Sequence, residues 1–559
     1  MSLTNTRQLL ASPPLWAVCL LALVWLLPGL FGSEPWKPDG AYTFGLISHI
    51  SNTGDWVVPT LAGEPFMEKP PLYFITAALL NNALGGWLLA PVDAMRLATG
   101  LYIGLAMLGI ALAARELFGR GYGRWAVIIL LGCLGFPVRA HQLITDTALF
   151  AGIAWATYGL VLAPRRPRLA GVLLGAGVAV ALLSKGLIGP GVVGLTALLL
   201  PALSPAYRTR RHALTLLIAL LVFLPLPALW MSALYQRSPE LFHTWWWDNN
   251  FGRFFGTNHL GPRATHGFYF KLLPWYALPA WPLVLYGAWC YFRDKQLLRL
   301  VAPGVFFIIG FSVLSAASDA RELYGMPLLV PLSLLAVAGV RETATLRVPG
   351  RVLWALIALL VLGLLLLGGY ALATGAPAKV YAVVSRRFGG WQPHWVPLAW
   401  VAAGLLLLGL YALWQQAPTQ RLSGGLWRWA VLLAGIWGML GTVYLPALDE
   451  QMAYRLPFRM LRHPLHLALK DGCVASLRLG EPQRALLSHY GRAQTLRLET
   501  QPAAGQCRWL LVQSENGWAP HFSQPLQPQL VVARPGDDKE RYLLYALPQP
   551  LAQMGLLLN

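Results

Sequence analysis

The sequence predicts a polytopic α-helical membrane protein with a small α/β domain at its C-terminal end. Three observations carry that prediction. Hydrophobic residues fill 56% of the 559 positions and charged residues only 12%, about half the charged share of a soluble domain. About thirteen apolar segments approach the roughly 20 residues needed to cross a bilayer. After Tyr444 those segments stop, and residues 447–559 become polar with short apolar runs. The formal charge of +20 does not call for nucleic acid, because Lys and Arg collect on cytoplasmic loops and fix topology.

Taken in order, the first span covers about 15–31. It follows Arg7 without a small-residue cleavage site and is expected to stay as a helix. The loop 32–92 comes next, with helices expected on the membrane surface near 40–52 and 70–88; Asn81 and Asn82 interrupt the second. Further spans lie near 93–117, 125–140, 146–163, 169–184, 186–203, 212–235, 269–292, 298–317, 322–340, 352–374, 393–414 and 427–446. With the N-terminus inside, the even-numbered turns carry the basic clusters: Arg120 and Arg124; Arg165, Arg166 and Arg168; Arg208, Arg210 and Arg211; Arg293 and Lys295; Arg341, Arg347 and Arg351; Arg421 and Arg428. That is the positive-inside pattern. The odd-numbered turns hold Asp39, Glu68, Asp146, Lys185, Asp248, His266, Asp319 and Arg321.

Residues 1–446 thus read as a transmembrane domain and 447–559 as an outer α/β domain of ordinary size. Its strand-like runs are CVASLRL, CRWLLVQ, QLVVAR and RYLLYAL. Cys473 and Cys507 each begin such a run, and outside the cytosol a bridge between neighbouring strands can persist. Two buried thiols are the alternative. Cys19, Cys133 and Cys290 fall in apolar spans and read as inert core residues.

The chemistry is expected in the first outer loop. Glu34, Asp39, Asp55, Glu64 and Glu68 gather there, and acids beside hydrocarbon are costly enough to imply a task or a partner. Asp39 has the position of an N-cap, and also that of a carboxylate able to take a hydroxyl proton or stabilise positive charge on a sugar. Tyr42 falls on the same helix face. Glu68 and Lys69 precede Pro70 and Pro71, which hold the backbone extended; Lys69 suits a phosphate as a point charge.

Asp146 opens a span and reads as a cap or a functional acid, with Arg139 and His141 in the same loop. Lys69, Lys185, Arg253 and Arg321 lie on the side where topology needs no cation, which makes them candidates for an anion, and Arg321 can clamp a phosphate bidentately. The aromatic loop 236–268 suits an interfacial belt, a carbohydrate or a prenyl phosphate. Glu68 and His266 are a candidate pair for a divalent metal, whereas His243 and His259 read as ordinary loop histidines. There is no G-x-x-x-x-G-K-[ST] phosphate loop and no D-x-D pair, so nucleotide hydrolysis and metal-held nucleotide-sugars are disfavoured.

The run P-D-G-A-Y-T followed by G-D-W-V-V-P-T-L-x-G-E-P-F-M-E-K-P-P-L-Y resembles the GT-C membrane glycosyltransferases, chiefly the bacterial group of lipid A aminoarabinose transferases and, more distantly, the protein O-mannosyltransferases. The resemblance implies a GT-C fold of about thirteen spans with a periplasmic C-terminal domain, in a bacterial inner membrane. It implies transfer, with inversion, of a sugar from undecaprenyl phosphate to lipid A, a lipid-linked glycan or a secreted protein, by a monomer.

By the same resemblance Asp39 is the first-loop catalytic acid and Asp146 the second. Lys69 binds the donor phosphate, and Glu68 with His266 holds a divalent metal such as Zn, Mg or Mn. Gly40 stands where the family often has Glu, which weakens paired-carboxylate schemes. Ala41-Tyr42-Thr43 replaces a usual Arg-Tyr, which leaves the sugar and acceptor open. A transporter or flippase of lipid-linked sugars is the rival from another class; it should show repeated halves and broken helices near the bilayer midplane. A non-catalytic scaffold would leave Asp39, Lys69, Lys185 and Arg321 without a shared purpose.

Overall fold

The computed structural model describes residues 12–256, 265–343, 350–417, 422–523 and 525–556. Arg7, His259, Arg347, Arg421 and Asn559 lie outside the described residues, as does the Arg253 side chain. Among the described residues seven helices are long and apolar enough to cross a membrane, from Pro91–Phe118 to Pro397–Gln415. An eighth is present if Leu422–Leu440 and Leu445–Lys470, which meet at 57°, count as one bent span.

The other expected spans are shorter or broken. Leu15–Leu26, Tyr122–Leu131, Asp146–Leu162 and Ile188–Leu203 are short apolar helices. The segment 269–292 divides into Phe268–Tyr276 and Ala280–Arg293 around Pro279. Hydropathy counts apolar residues and is blind to such breaks; a proline removes the amide that would continue the helix. Burial separates core from periphery. In Glu322–Glu342 89% of the apolar window is buried inside the protein, against 11% in Arg351–Thr374, which presents its apolar surface outward.

The helices Asp146–Leu162 and Pro167–Lys185 form a tight antiparallel hairpin. A Cβ on Gly152 would come within 2.6 Å of the Gly177 carbonyl oxygen, and one on Gly177 within 2.5 Å of the Gly152 oxygen. Only glycine lets the two backbones approach this closely. The same register pairs Gly159 with Ala170. Followed the other way along the hairpin, it brings Asp146, at the start of one helix, beside Lys185, at the end of the next.

The first loop holds two helices, Asp39–Thr53 and Leu72–Leu84, close to the expected 40–52 and 70–88. Helix Asp39–Thr53 buries Ala41, Phe44, Leu46 and Ile47, because the C-terminal region covers it from above. Ala485 of helix Glu481–Leu486 sits where a Gly45 side chain would be: a Cβ there would lie 2.7 Å from the Ala485 Cβ. Gly54 closes the helix at φ 70°, a left-handed cap that glycine adopts without penalty. Asp55 then accepts from the amides of Val57 and Val58, and Thr60–Leu61 pairs with Glu64–Pro65 in a two-residue hairpin. Pro70 and Pro71 lead into Leu72–Leu84.

In the C-terminal region the four apolar runs of the sequence carry strands Val474–Leu477, Trp509–Glu515, Leu530–Ala533 and Glu540–Ala546. With Leu496–Arg497 they make one five-stranded mixed sheet. Val474–Leu477 runs parallel to Leu496–Arg497 and to Trp509–Glu515, while Glu540–Ala546 is antiparallel to both its neighbours. Val474 faces Trp509 across the ladder. Cys473 and Cys507 therefore flank the same end of adjacent strands, and a disulfide joins them with Cα atoms 5.0 Å apart.

Three acid-centred clusters fasten this region to the first loop. Glu34 takes Arg455 at 2.9 Å and Tyr490. Glu64 takes Arg484 and Arg497, each at 2.9 Å. Glu540 takes Lys37, two residues before Asp39, together with Tyr454, Gln483 and Tyr542.

Burial works to raise the Glu540 pKa, but the hydrogen bonds from Lys37, Tyr542 and Gln483 outweigh it and bring it down from 4.5 to about 2. A carboxyl depressed on folding adds stability that is complete above its unfolded pKa and is lost as pH falls through its folded one. Docking of the C-terminal region should therefore hold at pH 5 and loosen progressively below pH 4.5. Limited proteolysis of detergent-solubilised protein, with an acid protease at low pH and a neutral protease above it, should cut near 447–456 at pH 2–3 and not near neutrality; Glu540→Gln should be cut there already at near-neutral pH. Equal resistance of the two proteins across the range would refute the latch.

Candidate active site

Five separated stretches of chain meet at one end of the bundle. Asp39 and Tyr42 come from helix Asp39–Thr53, and Glu68 and Lys69 from the stretch before Leu72–Leu84. Asp146 and Lys185 come from the glycine-packed hairpin, Arg321 and Tyr324 from the turn that opens Glu322–Leu328, and Glu481 and Pro482 from the C-terminal region. Apart from Asp146, all of these line a polar chamber of about 110 Å3.

Glu68, Lys69, Lys185 and Tyr324 also line a second cavity of about 480 Å3, whose wall includes Asp146 and Asp319. The rest of that cavity is largely apolar, with Ile188, Val192, Phe251, Phe254, Phe306 and Leu314. The two spaces therefore share one polar wall.

Neither acid is a helix cap. The residue before each helix is Pro38 or Thr145, with no side-chain cap bond. The Asp39 carboxylate accepts a hydrogen bond from the Tyr42 hydroxyl at 2.8 Å, and Arg321 approaches to 3.9 Å. Lys69, buried, donates to the Tyr42 oxygen, so Lys69, Tyr42 and Asp39 form one chain. Burial works to raise the Asp39 pKa, but Lys69, the Tyr42 hydrogen bond, Lys185 and Arg321 together hold it below its ordinary value. Asp39 is a carboxylate at neutral pH. Burial, with Lys185 nearby, lowers the Lys69 pKa against the pull of Asp39, Asp146 and Glu68. Tyr42 is raised well above 10 by burial and by Asp39 and Glu68, and keeps its proton.

Lys185 reaches both Asp146 oxygens, at 2.6 and 2.8 Å, and lies 5.0 Å from the Tyr324 ring centre. Its charge is already engaged. The Arg321 Nε is buried and makes no hydrogen bond among the described residues, which leaves this guanidinium the least engaged of the three cations. A planar fork with a spare donor suits a phosphate or carboxylate.

The other sequence candidates fall elsewhere. Arg139 pairs with Glu322 at 3.2 Å, and His141 is buried between the Pro137 and Trp25 carbonyls, so both have structural partners. His266 is exposed and lines neither cavity, whereas Glu68 lines both. Among the described residues no three His, Cys, Asp or Glu side chains gather as a metal set. The donor atoms at Glu68 do not make a cage of the usual kind, and no step below is routed through a metal.

Sequence reasoning missed three contributors. Asn250 accepts from the Leu187 amide at 2.9 Å and so ties the aromatic loop to the end of the hairpin. Glu481 and Pro482 carried no local signal. The Gly-rich run after Lys185 was a usable one: Gly189 and Gly191 both line the large cavity, a Cβ on Gly191 would meet nothing within 4 Å, and one on Gly189 would lie 2.8 Å from the Ala181 Cβ, so glycine there permits close packing against the hairpin.

Residues 68–230 match the family described as dolichyl-phosphate-mannose-protein mannosyltransferase. The chain is similar to an undecaprenyl phosphate-alpha-4-amino-4-deoxy-L-arabinose arabinosyl transferase of Sodalis glossinidius, with 30% identity over 340 residues, 58% of each protein. Its counterpart in Serratia proteamaculans is 28% identical over 58% of this chain and 59% of the relative. The match thus spans under two thirds of these curated relatives' own length. Among solved structures, ArnT from Cupriavidus metallidurans bound to undecaprenyl phosphate superposes with a TM-score of 0.65 at 16% identity. That superposition covers 95% of this chain and 97% of that one. The apo form of that protein gives 0.64 at 18%. At this identity the likeness establishes a shared fold along nearly the whole chain.

Proposed function

We propose that this chain, which shares the fold of ArnT, is a GT-C glycosyltransferase of the aminoarabinose transferase and protein mannosyltransferase kind. It takes a sugar from an undecaprenyl or similar polyprenyl phosphate and transfers it to lipid A, a lipid-linked glycan or a secreted protein. One observation carries this reading: a polar chamber holding Asp39, Lys69, Lys185 and Arg321 shares its wall with a large apolar cavity. A prenyl-phosphate sugar has the matching order of parts, an apolar tail, an anionic phosphodiester head and a polar ring. The tail takes the apolar cavity, the phosphate meets Lys69, Lys185 and Arg321, and the ring lies toward Asp39.

Departure of the phosphate builds negative charge on its oxygens, and cations fixed beforehand in a water-poor site stabilise that charge with little reorganisation. Positive charge develops on the ring and is stabilised by Asp39, which also deprotonates a hydroxyl acceptor. A phosphate acceptor needs no base, and the electrostatic role alone remains. A single displacement from the face opposite the phosphate inverts the anomeric centre. A transporter is disfavoured, because the charged groups gather at one end of the bundle and not at broken helices around a midplane site.

The site and residues 447–559 face the periplasm of a bacterial inner membrane in this reading, with about thirteen crossings counted by hydropathy. A reporter fused after Arg210 should be cytoplasmic and one fused after the last residue periplasmic. The protein acts as a monomer. A divalent ion at Glu68, with His266 as the distant second ligand, is a separate proposal; loss of activity in EDTA with recovery on adding Zn, Mg or Mn supports it, and full activity in EDTA removes it. The function itself is tested by mass spectrometry of lipid A, surface glycans and pilin-type proteins from cells with and without this protein. One of them should lose a single glycosyl mass. Identical profiles, with no transfer by purified protein from any polyprenyl-phosphate sugar, would overturn the reading.

A further inference from the structure

The C-terminal region does more than cover the first loop. Its short helix Glu481–Leu486 is fastened residue by residue. Gln483 bonds Glu540 at 2.9 Å, Arg484 bonds Glu64 at 2.9 Å, and Ala485 fills the notch at Gly45. Just before the helix, the Gly480 amide donates to Gln513 at 3.0 Å. In the middle of this anchored stretch Glu481 is different. Its half-buried side chain lines the chamber with Asp39, Tyr42, Lys69 and Arg321. No hydrogen bond or ion pair engages its carboxylate among the described residues. A half-buried charged group without a partner is costly, so its rigid placement there calls for a ligand. Burial, with Glu68 adding to it, raises the Glu481 pKa against the pull of Arg484 and Lys69, as fits a group turned to the chamber and not to bulk water.

We infer that Glu481 is a specificity-determining residue, contributed by the C-terminal region, that accepts a hydrogen bond from a hydroxyl or amino substituent of the sugar being transferred. This rests on the function proposed above. The phosphate is claimed by the three cations and the tail by the apolar cavity, so the ring is the part left to meet two carboxylates. Asp39 serves the anomeric centre, where charge develops. Glu481 has no role in the displacement and reads the ring.

The test uses full-length protein in detergent, as wild type, Glu481→Gln and Glu481→Ala. The probes are a polyprenyl-phosphate sugar that wild type transfers and its analogues, each with one hydroxyl or amino group replaced by hydrogen. Wild type should prefer the parent sugar over one analogue by ~10-fold or more in kcat/KM, the scale of one hydrogen bond to a charged group. Glu481→Ala should erase that preference and leave the other preferences and the thermal midpoint near wild type, and Glu481→Gln should restore part of it.

A role limited to the short helix would lower activity equally for every probe, and that outcome overturns the proposal. So does a change confined to acceptor choice, or a wild type indifferent to every substituent. A wild type that transfers none of the probes overturns the enzyme reading beneath it, and this inference with it.

Discussion

Asp39→Asn should fold, insert and bind donor, while turnover should fall by ~10²-fold or more, the usual scale for a positioned acid or base. The substitution keeps the shape and a hydrogen-bond acceptor for the Tyr42 hydroxyl, which sits at 2.8 Å. What it removes is the negative charge that Lys69, Lys185 and Arg321 surround. Lys69→Ala should act differently. The lysine lines both the chamber and the apolar cavity, so its loss weakens donor binding and turnover together. The measurement is steady-state transfer by purified protein beside donor affinity. Near-normal turnover in Asp39→Asn would remove the aspartate from the mechanism.

The second large effect is on stability. Asp146 is 2% exposed and Lys185 14% in their side chains, with both carboxylate oxygens engaged. Removing one partner of a buried pair strands the other charge, at a cost of about 3–5 kcal/mol. Asp146→Ala should therefore lower the thermal midpoint in detergent sharply. Asp146→Leu combined with Lys185→Met replaces the pair by apolar groups and should recover most of that loss. The double variant should still be inactive, because a cation is gone from the chamber wall. A midpoint for Asp146→Ala equal to wild type would show that the pair is solvated and contributes little.

The first loop shows what a sequence can and cannot display. Its five acids were legible as a group with a purpose, and so were the cations Lys69, Lys185 and Arg321, since each stands where topology needs none. The division of labour was not legible. Asp55 is matched by Arg237, 182 residues on. Glu34 and Glu64 are matched by Arg455 and Arg484, more than 400 residues on. No local pattern links such positions. Of the loop's five acids, Asp39 and Glu68 are the two that line the chamber.

The expected spans were placed by hydropathy, yet Pro279 and the short helix Tyr122–Leu131 lie beyond its reach, because whether an apolar stretch crosses depends on where the chain bends. The loop helices were legible, but the cover over Asp39–Thr53 was not, because it is encoded after residue 446. Glu481 was invisible because an acid in a polar tail looks like any other until the fold turns it toward a cavity.

Those same long-distance pairings bear on biosynthesis. Lys37, next to Pro38 and Asp39, meets Glu540, 503 positions later. Chains emerge at about 5–20 residues per second, so the first loop waits roughly half a minute to a minute and a half for its fastenings to be made. During that interval the growing chain already holds Asp39, Lys69 and Lys185 in its membrane part, but the chamber has no lid and no Glu481. In the proposed function the chamber is therefore complete only once strand Glu540–Ala546 has been delivered, and a chain truncated before Glu540 should show no transfer even when every span has been inserted.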